Sequence, residues 1–335
     1  MSTGADIAPM LEARAVTKRF VKHLDFAAKL VRRFGADIRE EIVQAVDSVD
    51  LNVSEGEVVG LVGESGCGKS TLGRMVAGIL EPTGGDILFR GSSILEGGNS
   101  QTREAALKVQ MIFQDPFASL NPRMRVADII GEAPLIHGII SRAEFDDYVD
   151  DVLDRCGLDA SFKRRYPHQF SGGQRQRIGI ARALAVKPEF IVCDESVAAL
   201  DVSIQAQILN LFMELRKSLD LTYLFISHDL GVVEHLSDRV IIMYLGRVVE
   251  STATEDLFDE PNHPYTQALL REVPRLESRH SDFLPIKGEI PSPLDPPSGC
   301  HFHPRCPHAM ERCRMEAPIL KEIRPGWKSA CHLND

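Results

Sequence analysis

The chain has 335 residues, of which 44% are hydrophobic and 26% charged, and its formal net charge is −10. These values are typical of a soluble globular protein with one large domain or two moderate ones, and the acidic balance disfavours a nucleic-acid partner. No run of about 18 apolar residues predicts a membrane span, and the first residues do not have the pattern of a secretory signal. Seven cysteines, an odd number, indicate the reducing cytosol rather than a disulfide scaffold.

The order of apolar runs predicts an α/β fold. Residues 11–20 are a candidate opening strand. Three short, continuous apolar runs fit strands that are buried on both faces of a parallel sheet. Helical patterns such as residues 204–219 lie between them, so the order strand, helix, strand indicates a sheet covered by helices. The three runs are Val58–Val62, 190–193 and 223–226.

Other segments define the predicted domain organisation. Residues 21–39 are basic and partly apolar, which predicts a surface helix or hairpin. Residues 117–170 are acidic and helix-rich and are interrupted by prolines, which favours a helical subdomain. The apolar residues around Gly246 predict a β-hairpin near the end of a main domain that spans 1–260. Residues 261–335, rich in Pro, His and Cys, predict a separate, loop-rich C-terminal extension.

A glycine-rich segment after the first apolar run satisfies the pattern G-x-x-x-x-G-K-[ST]. Its glycines let the backbone curl until N–H groups converge on phosphate oxygens, and the following helix N-terminus adds positive potential. Lys69 can reach the β- and γ-phosphates, and the Ser70 hydroxyl can ligate Mg²⁺. This loop alone fits GTPases, kinases and helicases equally well. The candidate binding residues are Gly63, Ser65, Gly66, Cys67, Gly68, Lys69, Ser70 and Thr71.

An acidic pair follows the second apolar run. Asp194 and Glu195 come about 125 residues after the phosphate loop, at the carboxyl end of a predicted buried strand. Such a carboxylate lies beside the phosphate loop in these sheets, where Asp194 can hold Mg²⁺. Glu195 can polarise the attacking water as a general base. A solvated loop start is the alternative interpretation of the pair.

A second glycine-containing loop distinguishes between the classes of phosphate-binding protein. The run from Phe170 to Arg177 reads Phe-Ser-Gly-Gly-Gln-Arg-Gln-Arg. It resembles the signature motif of ABC ATPases, which usually begins with Leu where Phe170 stands. A serine and two glycines before a helix make a second anion-binding helix N-terminus. The resemblance implies a head-to-tail dimer in which this loop closes over ATP that the other subunit holds. The loop residues are Ser171, Gly172, Gly173 and Gln174.

Further landmarks follow in the family's order. Gln114 resembles the Q-loop glutamine, which senses Mg²⁺ and the attacking water and couples to the permease. His228 resembles the switch histidine that contacts the γ-phosphate, and Asp201 the D-loop aspartate at the dimer interface. Phe20 is similar to the aromatic residue that stacks on adenine, although a lone Phe near a strand end is more often a core residue.

The resemblance, which covers residues 11–330, implies both the fold and the reaction. The fold is a P-loop NTPase core of the ABC ATPase type, with a mixed sheet and an antiparallel β subdomain, plus a helical subdomain and a small Cys-rich C-terminal extension. The implied catalytic residues are Lys69, Gln114, Glu195 and His228. Mg²⁺ is held through Ser70, Gln114 and Asp194.

The chain departs from the family pattern after the acidic pair. Ser196 stands where members commonly have proline or alanine, and Ala198 where they commonly have serine. The carboxylates remain, so we expect hydrolysis to survive. Ala198 has no hydroxyl to offer across the interface, which puts communication through the D-loop in question.

Three more stretches narrow the branch. Residues 114–123, 263–270 and 291–294, the last running towards Cys300, resemble the dipeptide/oligopeptide and nickel uptake branch of bacterial importers. Gly73 and Arg74 after the phosphate loop, and the form of the tail, are most similar to the F-type ATPase subunit of that branch. This resemblance implies a paralogous ATPase partner, two transmembrane permease subunits and a solute-binding protein. It places the chain at the cytoplasmic face of the inner membrane. The solute itself is chosen by other subunits.

Four cysteines lie in the tail, and their spacing lacks the paired C-x₂-C of a zinc ribbon. Thiolates in a segment with little apolar content can supply folding energy through a bound metal. The family resemblance favours a structural [4Fe–4S] cluster over zinc or unligated thiols. The four are Cys300, Cys306, Cys313 and Cys331, whereas Cys67, Cys156 and Cys193 are predicted packing residues. Cys67 is nevertheless expected to react with thiol reagents when ATP is absent.

Three other functions compete with import. A soluble ABC ATPase of DNA repair or translation would need a coiled-coil insertion, zinc hooks or tandem cassettes, none of which the sequence predicts. A degenerate regulatory subunit would have lost the residues represented by Lys69, Asp194, Glu195 and His228. An exporter of this type commonly fuses ATPase and membrane helices in one chain.

Overall fold

The computed structural model describes residues 8–22, 41–95, 100–271 and 288–335. The predicted surface helix or hairpin at 21–39 lies outside these residues apart from Val21 and Lys22, which end the first strand. No described helix is both long enough and apolar enough to cross a bilayer.

Within the described residues, the strands form a four-stranded antiparallel sheet and an eight-stranded mixed sheet. The smaller sheet has the order β2-β1-β4-β5, and the larger has the order β11-β12-β10-β9-β3-β8-β7-β6. This arrangement confirms the predicted mixed sheet with an antiparallel subdomain. The strands are β1 (Leu11–Lys22), β2 (Glu41–Val53), β3 (Val58–Val62), β4 (Gly84–Phe89), β5 (Ser92–Ser93), β6 (Val109–Ile112), β7 (Phe190–Asp194), β8 (Thr222–Ser227), β9 (Arg239–Tyr244), β10 (Arg247–Ala253), β11 (Lys321–Arg324) and β12 (Trp327–Ser329).

The three continuous apolar runs form the parallel centre of the larger sheet. Every residue of β3, β7 and β8 is buried, because helices cover one face of the sheet while a helix and the smaller sheet cover the other, so no solvated side requires polar alternation. β3 pairs in parallel with β8 and β9, and β7 pairs in parallel with β6 and β8. The predicted hairpin at Gly246 is confirmed, since β9 and β10 pair antiparallel across it.

The described helices cover the sheet and also form a cluster of their own. They are α1 (Lys69–Val76), α2 (Ser100–Lys108), α3 (Pro116–Ser119), α4 (Val126–Ile136), α5 (Phe145–Arg155), α6 (Gly172–Leu184), α7 (Val202–Leu219), α8 (Leu230–Leu236), α9 (Thr254–Asp259), α10 (Pro264–Arg271) and α11 (Glu311–Met315), with short 3₁₀ turns at Ala160–Arg164, Pro167–Gln169 and His332–Asn334.

Helices α3 to α6 occupy the predicted helical segment and extend it to Leu184. Buried side chains such as Ile130, Leu153 and Ile178 join this segment to α7 and to strands of the larger sheet in one hydrophobic cluster. The helical segment therefore shares one hydrophobic core with the larger sheet.

The C-terminal residues are more regular than their composition predicts. They add two helices, α10 and α11, and the β11–β12 hairpin, whose strand β12 pairs antiparallel with β10 of the main sheet. The buried carboxylate of Glu250 fixes this join, because it accepts hydrogen bonds from Trp327 Nε1 at 2.9 Å and from the backbone N–H of His263 at 2.9 Å. Phe302 packs with Tyr244 and Tyr265, with ring centres 5.3 Å apart in both pairs. The C-terminal residues, which were expected to be a separate, loop-rich extension, therefore add two strands to the larger sheet.

Candidate nucleotide site

The loops that carry the predicted catalytic residues leave the same edge of the larger sheet. In the parallel register, Val62 at the end of β3 pairs with Ser227 at the end of β8, and Asp194 at the end of β7 pairs with Ile226. Carboxyl ends of parallel strands meet at one edge, where open α/β sheets bind their ligands. The phosphate loop and the residues around Glu195 and His228 are therefore neighbours although they are far apart in sequence.

The phosphate loop has the conformation that its glycines allow. Gly68 has φ +104°, and a Cβ there would lie 2.1 Å from the carbonyl oxygen of Ala45. Only glycine adopts this φ readily and also leaves room for the Ala45 carbonyl, so any other residue here would displace the loop. Helix α1 starts at the next residue, so its unpaired N–H groups face the loop, with Thr71 half-buried in the first turn and Ser65 and Gly66 exposed at the tip.

The Lys69 ammonium lies within the loop. Its Nζ donates hydrogen bonds to the carbonyl oxygens of Gly63 at 2.7 Å and of Glu64 at 2.9 Å, and the side chain is only 4% exposed. A buried positive charge enclosed by backbone is suited to an anionic ligand.

Ser70 and Asp194 meet as the sequence predicts for a magnesium site. The Ser70 hydroxyl donates to Asp194 Oδ1 at 2.7 Å. Burial raises the pKa of Asp194, while the Ser70 hydroxyl opposes that shift by hydrogen bonding to the carboxylate. A hydroxyl and a carboxylate side by side are oxygen ligands of the kind that Mg²⁺ prefers, so these residues fit the ion.

Glu195 is held between two other predicted site residues. Gln114 Nε2 donates to Glu195 Oε2 at 2.7 Å, and His228 Nδ1 lies 3.4 Å from Glu195 Oε1. The backbone of Glu195 has φ +45°, a left-handed conformation that costs a non-glycine residue of order 1–3 kcal/mol. Its N–H donates to Ile226 O at 3.0 Å, which ties the strained turn to β8. A carboxylate fixed in this way can accept a proton from a water molecule at the sheet edge.

Phe20 lies on the smaller sheet, at the side that adjoins the phosphate loop. It pairs with Val43 of β2, two residues before Ala45, whose carbonyl contacts the Gly68 position. The Phe20 ring is 43% exposed and has the Lys18 ammonium 5.4 Å from its centre. An exposed aromatic face here can stack on a base, and Phe20 is not a core residue.

The second glycine loop caps helix α6. Gln174 N donates to Ser171 Oγ at 3.3 Å, and Ser171 N donates to Gln174 Oε1 at 3.1 Å, which completes a capping box. A Cβ on Gly173 would lie 2.5 Å from Ile204 Cγ2, so glycine allows α6 to approach α7. This loop is held by the helical cluster, whereas the phosphate loop is held by the two sheets.

The residues after Glu195 turn towards solvent. Asp201 is the N-cap residue directly before α7, yet its carboxylate does not cap that helix, and both Asp201 and Ala198 are exposed. Ser196 is buried instead, only 2% exposed. The structure thus leaves Asp201 and Ala198 on the surface, where a second chain can reach them.

Cys67 corrects one expectation. Its side chain is only 4% exposed, and burial raises the pKa of its thiol despite the nearby Lys69 ammonium. The thiolate is the reactive form of cysteine. The structure therefore disfavours the expected ready reaction of Cys67 with thiol reagents, because the loop packs the sulfur inwards.

The four tail cysteines line one small cavity, together with His263, His303, His308 and His332. All four are free, and burial raises the pKa of the Cys331 thiol to about 11. No group of three or more His, Cys, Asp or Glu side chains in the described ranges is arranged to hold a metal ion. The four thiols therefore share one cavity, but the described side chains there are not arranged around a single ion such as zinc.

Two family models match the chain. One, described as ABC transporter, covers residues 46–198, and the other, described as oligopeptide/dipeptide transporter, C-terminal region, covers residues 249–313. The oligopeptide transport ATP-binding protein AppF of Bacillus subtilis (strain 168) is 50% identical over an alignment of 335 positions, which covers 99% of this chain and 99% of that protein. The chain belongs to the ABC transporter ATP-binding proteins. It is consequently an ATPase, in the branch that carries the oligopeptide/dipeptide C-terminal region.

Other relatives and solved structures agree with this family. The dipeptide transport ATP-binding protein DppF of Haemophilus influenzae is 47% identical over 298 residues, covering 89% of this chain and 91% of that protein. The solved structure of cbiO1 from Clostridium perfringens has a TM-score of 0.61 at 26% identity, covering 76% of this chain and 92% of that one. The ATP-binding cassette MJ0796, a dimer in a post-hydrolysis state with ADP and Pi, has a TM-score of 0.61 at 28% identity, covering 73% and 99%. The predicted ABC ATPase fold is confirmed.

Sequence reasoning missed two residues that touch the phosphate loop. Arg305 and Tyr265, both in the C-terminal residues, hydrogen-bond to Glu64. Tyr265 stands within the stretch 263–270 that marks the branch, but nothing in the sequence connects it with a residue 201 positions earlier.

Proposed function

We propose that this ABC ATPase energises a bacterial importer of di- or oligopeptides or a related solute. The arrangement of Glu195 between Gln114 and His228, beside the Ser70–Asp194 pair, is the observation that carries the catalytic part of the proposal. The names of the relatives AppF and DppF, which refer to oligopeptide and dipeptide transport, support the solute class.

In the proposed site, each residue has a distinct task. Lys69 and the loop N–H groups bind the β- and γ-phosphates, Phe20 stacks on adenine, and Ser70, Asp194 and Gln114 would hold Mg²⁺. When bound, Mg²⁺ supplies positive charge that stabilises the transferring phosphoryl group. Glu195 orients the attacking water and receives its proton, and His228 contacts the γ-phosphate.

The proposed site is completed by a second ATPase chain. The capped N-terminus of α6 is a second anion-binding end, and it is held by a different part of the fold from the phosphate loop. In a head-to-tail pair, Ser171 and Gly173 of one chain close over ATP held by Lys69 of the other. Asp201 would lie at that interface. We propose a paralogous ATPase as the partner.

Two permease chains and a solute-binding protein complete the proposed machine, with this chain at the cytoplasmic face of the inner membrane. A role as a soluble clamp on nucleic acid is disfavoured by the family of its relatives and by the net charge of −10. Coupling passes from Gln114 into the helical segment, whose rigid core transmits the movement to the membrane chains.

Assembly tests this function. A tag on this chain should co-purify the sister ATPase and both permeases, and ATP turnover of the complex should rise when the binding protein carries peptide. Ser171→Ala in this chain should lower turnover about 10-fold or more, because it removes a hydrogen bond to a charged phosphate. Ser161→Ala, at an exposed serine of the same helical segment, is the matched control. Equal turnover in the isolated chain would contradict the proposal.

We further propose that the tail cavity carries an iron–sulfur cluster with a structural role. Support comes from four free thiols that line one cavity, since a four-iron cluster needs its ligands farther apart than a single ion does. Anaerobically purified protein should contain iron and acid-labile sulfide in equal amounts, and Cys313→Ser should lose both together with thermal stability. Cys156→Ser, at a buried cysteine outside the tail, is the control. Absence of iron and sulfide from the anaerobic protein would refute the cluster.

A further inference from the structure

Two C-terminal residues, Arg305 and Tyr265, form hydrogen bonds with Glu64 of the phosphate loop. The Arg305 guanidinium donates from Nη1 to Glu64 Oε2 at 2.7 Å and from Nη2 to Glu64 Oε1 at 2.9 Å. The Arg305 side chain is only 4% exposed and that of Glu64 18%. This two-bond fork is a strong and directional form of ion pair, and it joins residues 241 positions apart.

A second contact fixes the backbone of the same residue. The Glu64 N–H donates to the Tyr265 hydroxyl oxygen at 2.9 Å. The Tyr265 ring is fully buried against Tyr244, with ring centres 4.6 Å apart, and against Phe302. Because the ring cannot turn away, its hydroxyl is a rigid acceptor for the loop.

The remaining polar group of Glu64 faces the catalytic lysine. The Glu64 carbonyl oxygen accepts from Lys69 Nζ at 2.9 Å and from the Cys67 N–H at 3.3 Å. Glu64 therefore has its carboxylate and N–H held by the tail and its carbonyl held by the loop. Whatever positions Glu64 also positions the Lys69 ammonium.

Charge gives the contact a second consequence. Glu64 places a carboxylate on a loop whose ligand is an anion, which would repel phosphate oxygens if it were uncompensated. The Arg305 guanidinium neutralises it inside a poorly solvated environment. The loop has left-handed backbone at Gly66 and Gly68, and contacts that hold it in one shape before ATP binds reduce the cost of ordering it on binding.

We propose that Arg305 and Tyr265 are positioning residues for ATP binding, through which the C-terminal residues set the affinity of the phosphate loop. This inference rests on the proposed nucleotide site around Lys69. Neither residue touches the reacting atoms. They act through Glu64, by fixing its backbone and cancelling its charge, so they influence binding of ATP more than its hydrolysis.

The test measures MgATP binding to the full-length chain by titration calorimetry, and KM and kcat in the assembled complex. Arg305→Gln should raise the Kd and KM for ATP about 10-fold and change kcat less than about threefold. The double variant Glu64→Gln with Arg305→Gln removes both charges and should recover a Kd within about threefold of wild type. Arg324→Gln, which breaks an exposed ion pair in the same tail, is the matched control and should leave Kd unchanged.

Two outcomes would overturn the inference. One is an unchanged Kd for ATP in Arg305→Gln, and the other is a double variant whose Kd is raised as much as in Arg305→Gln or more. A purely structural role would lower thermal stability without separating KM from kcat and without recovery in the double variant. If Arg305→Gln fails to fold, Arg305→Lys keeps the charge but loses the fork, and its Kd should be intermediate. Lys69→Ala tests the proposed nucleotide site separately from the positioning role of Arg305 and Tyr265. Unchanged ATP affinity in the Lys69→Ala variant would refute the nucleotide site itself.

Discussion

Glu195→Gln will abolish most ATP turnover while leaving ATP bound. We expect kcat to fall by about 10²–10⁴-fold, the usual contribution of a general base. Glutamine keeps the size of the side chain and can still meet Gln114 and His228, but it cannot accept a proton from water. Lys69 and the Ser70–Asp194 pair are untouched, so the Kd for ATP should remain within a few-fold of wild type. Steady-state phosphate release by the complex and calorimetric ATP binding measure the two effects.

Glu55→Gln is the control for this experiment, since Glu55 is an exposed carboxylate paired with Arg90 at the surface. It should leave both constants unchanged. The variant at Glu195 should also trap a closed ATPase dimer, because bound ATP is no longer consumed. Full wild-type turnover by the Glu195→Gln chain paired with its sister ATPase would show that another residue is the base.

Gly68→Ala will disable the phosphate loop. The added methyl group would lie 2.1 Å from the Ala45 carbonyl oxygen and 3.0 Å from Met243 Cε, at a backbone φ of +104°. The loop must move away from both sheets, and Lys69, the next residue, moves with it. We expect ATP affinity to fall about 100-fold or more, equivalent to roughly 3 kcal/mol. Calorimetric binding of MgATP measures this loss.

Gly66→Ala shows how much of the loss in Gly68→Ala comes from backbone strain alone, without the steric clash of the added Cβ. Gly66 also has positive φ, +80°, yet a Cβ there would meet nothing within 4 Å. The left-handed conformation alone costs roughly 1–2 kcal/mol, so affinity should fall about 10-fold. Equal effects at Gly66 and Gly68 would mean that contact with the Ala45 carbonyl is unimportant for the loop.

The catalytic edge of the sheet was predictable because its signals are local. The phosphate loop needs glycine at fixed positions, and Asp194 follows a run of apolar residues that only a buried strand explains. Parallel topology then forces the carboxyl ends together, so the meeting of Ser70 with Asp194 and of Gln114 with Glu195 follows from the order of elements. Whether Phe20 is a core residue depended on its exposure, which a lone aromatic residue in a sequence does not reveal.

The tail was less predictable because tertiary contacts decide its structure. Short strands such as Lys321–Arg324 have no apolar alternation, and they form because β10 supplies partners for the hairpin. Cys67 was expected to be reactive from its position in a binding loop, but its burial depends on packing against both sheets. The Arg305–Glu64 pair has no sequence signal, since the two residues are 241 positions apart.

The pairing of β12 with β10 has a consequence for the synthesis of the polypeptide. Chains leave the ribosome from the N-terminus, so Arg247–Ala253 emerges well before the strand that later covers its outer side. During that interval β10 is an open sheet edge, which is a common site of mistaken pairing between nascent molecules. The Glu250 carboxylate, 0% exposed in the finished fold, puts a negative charge on this edge until Asn262, His263 and Trp327 have all donated to it, and a charge on an open edge strand disfavours pairing with another chain.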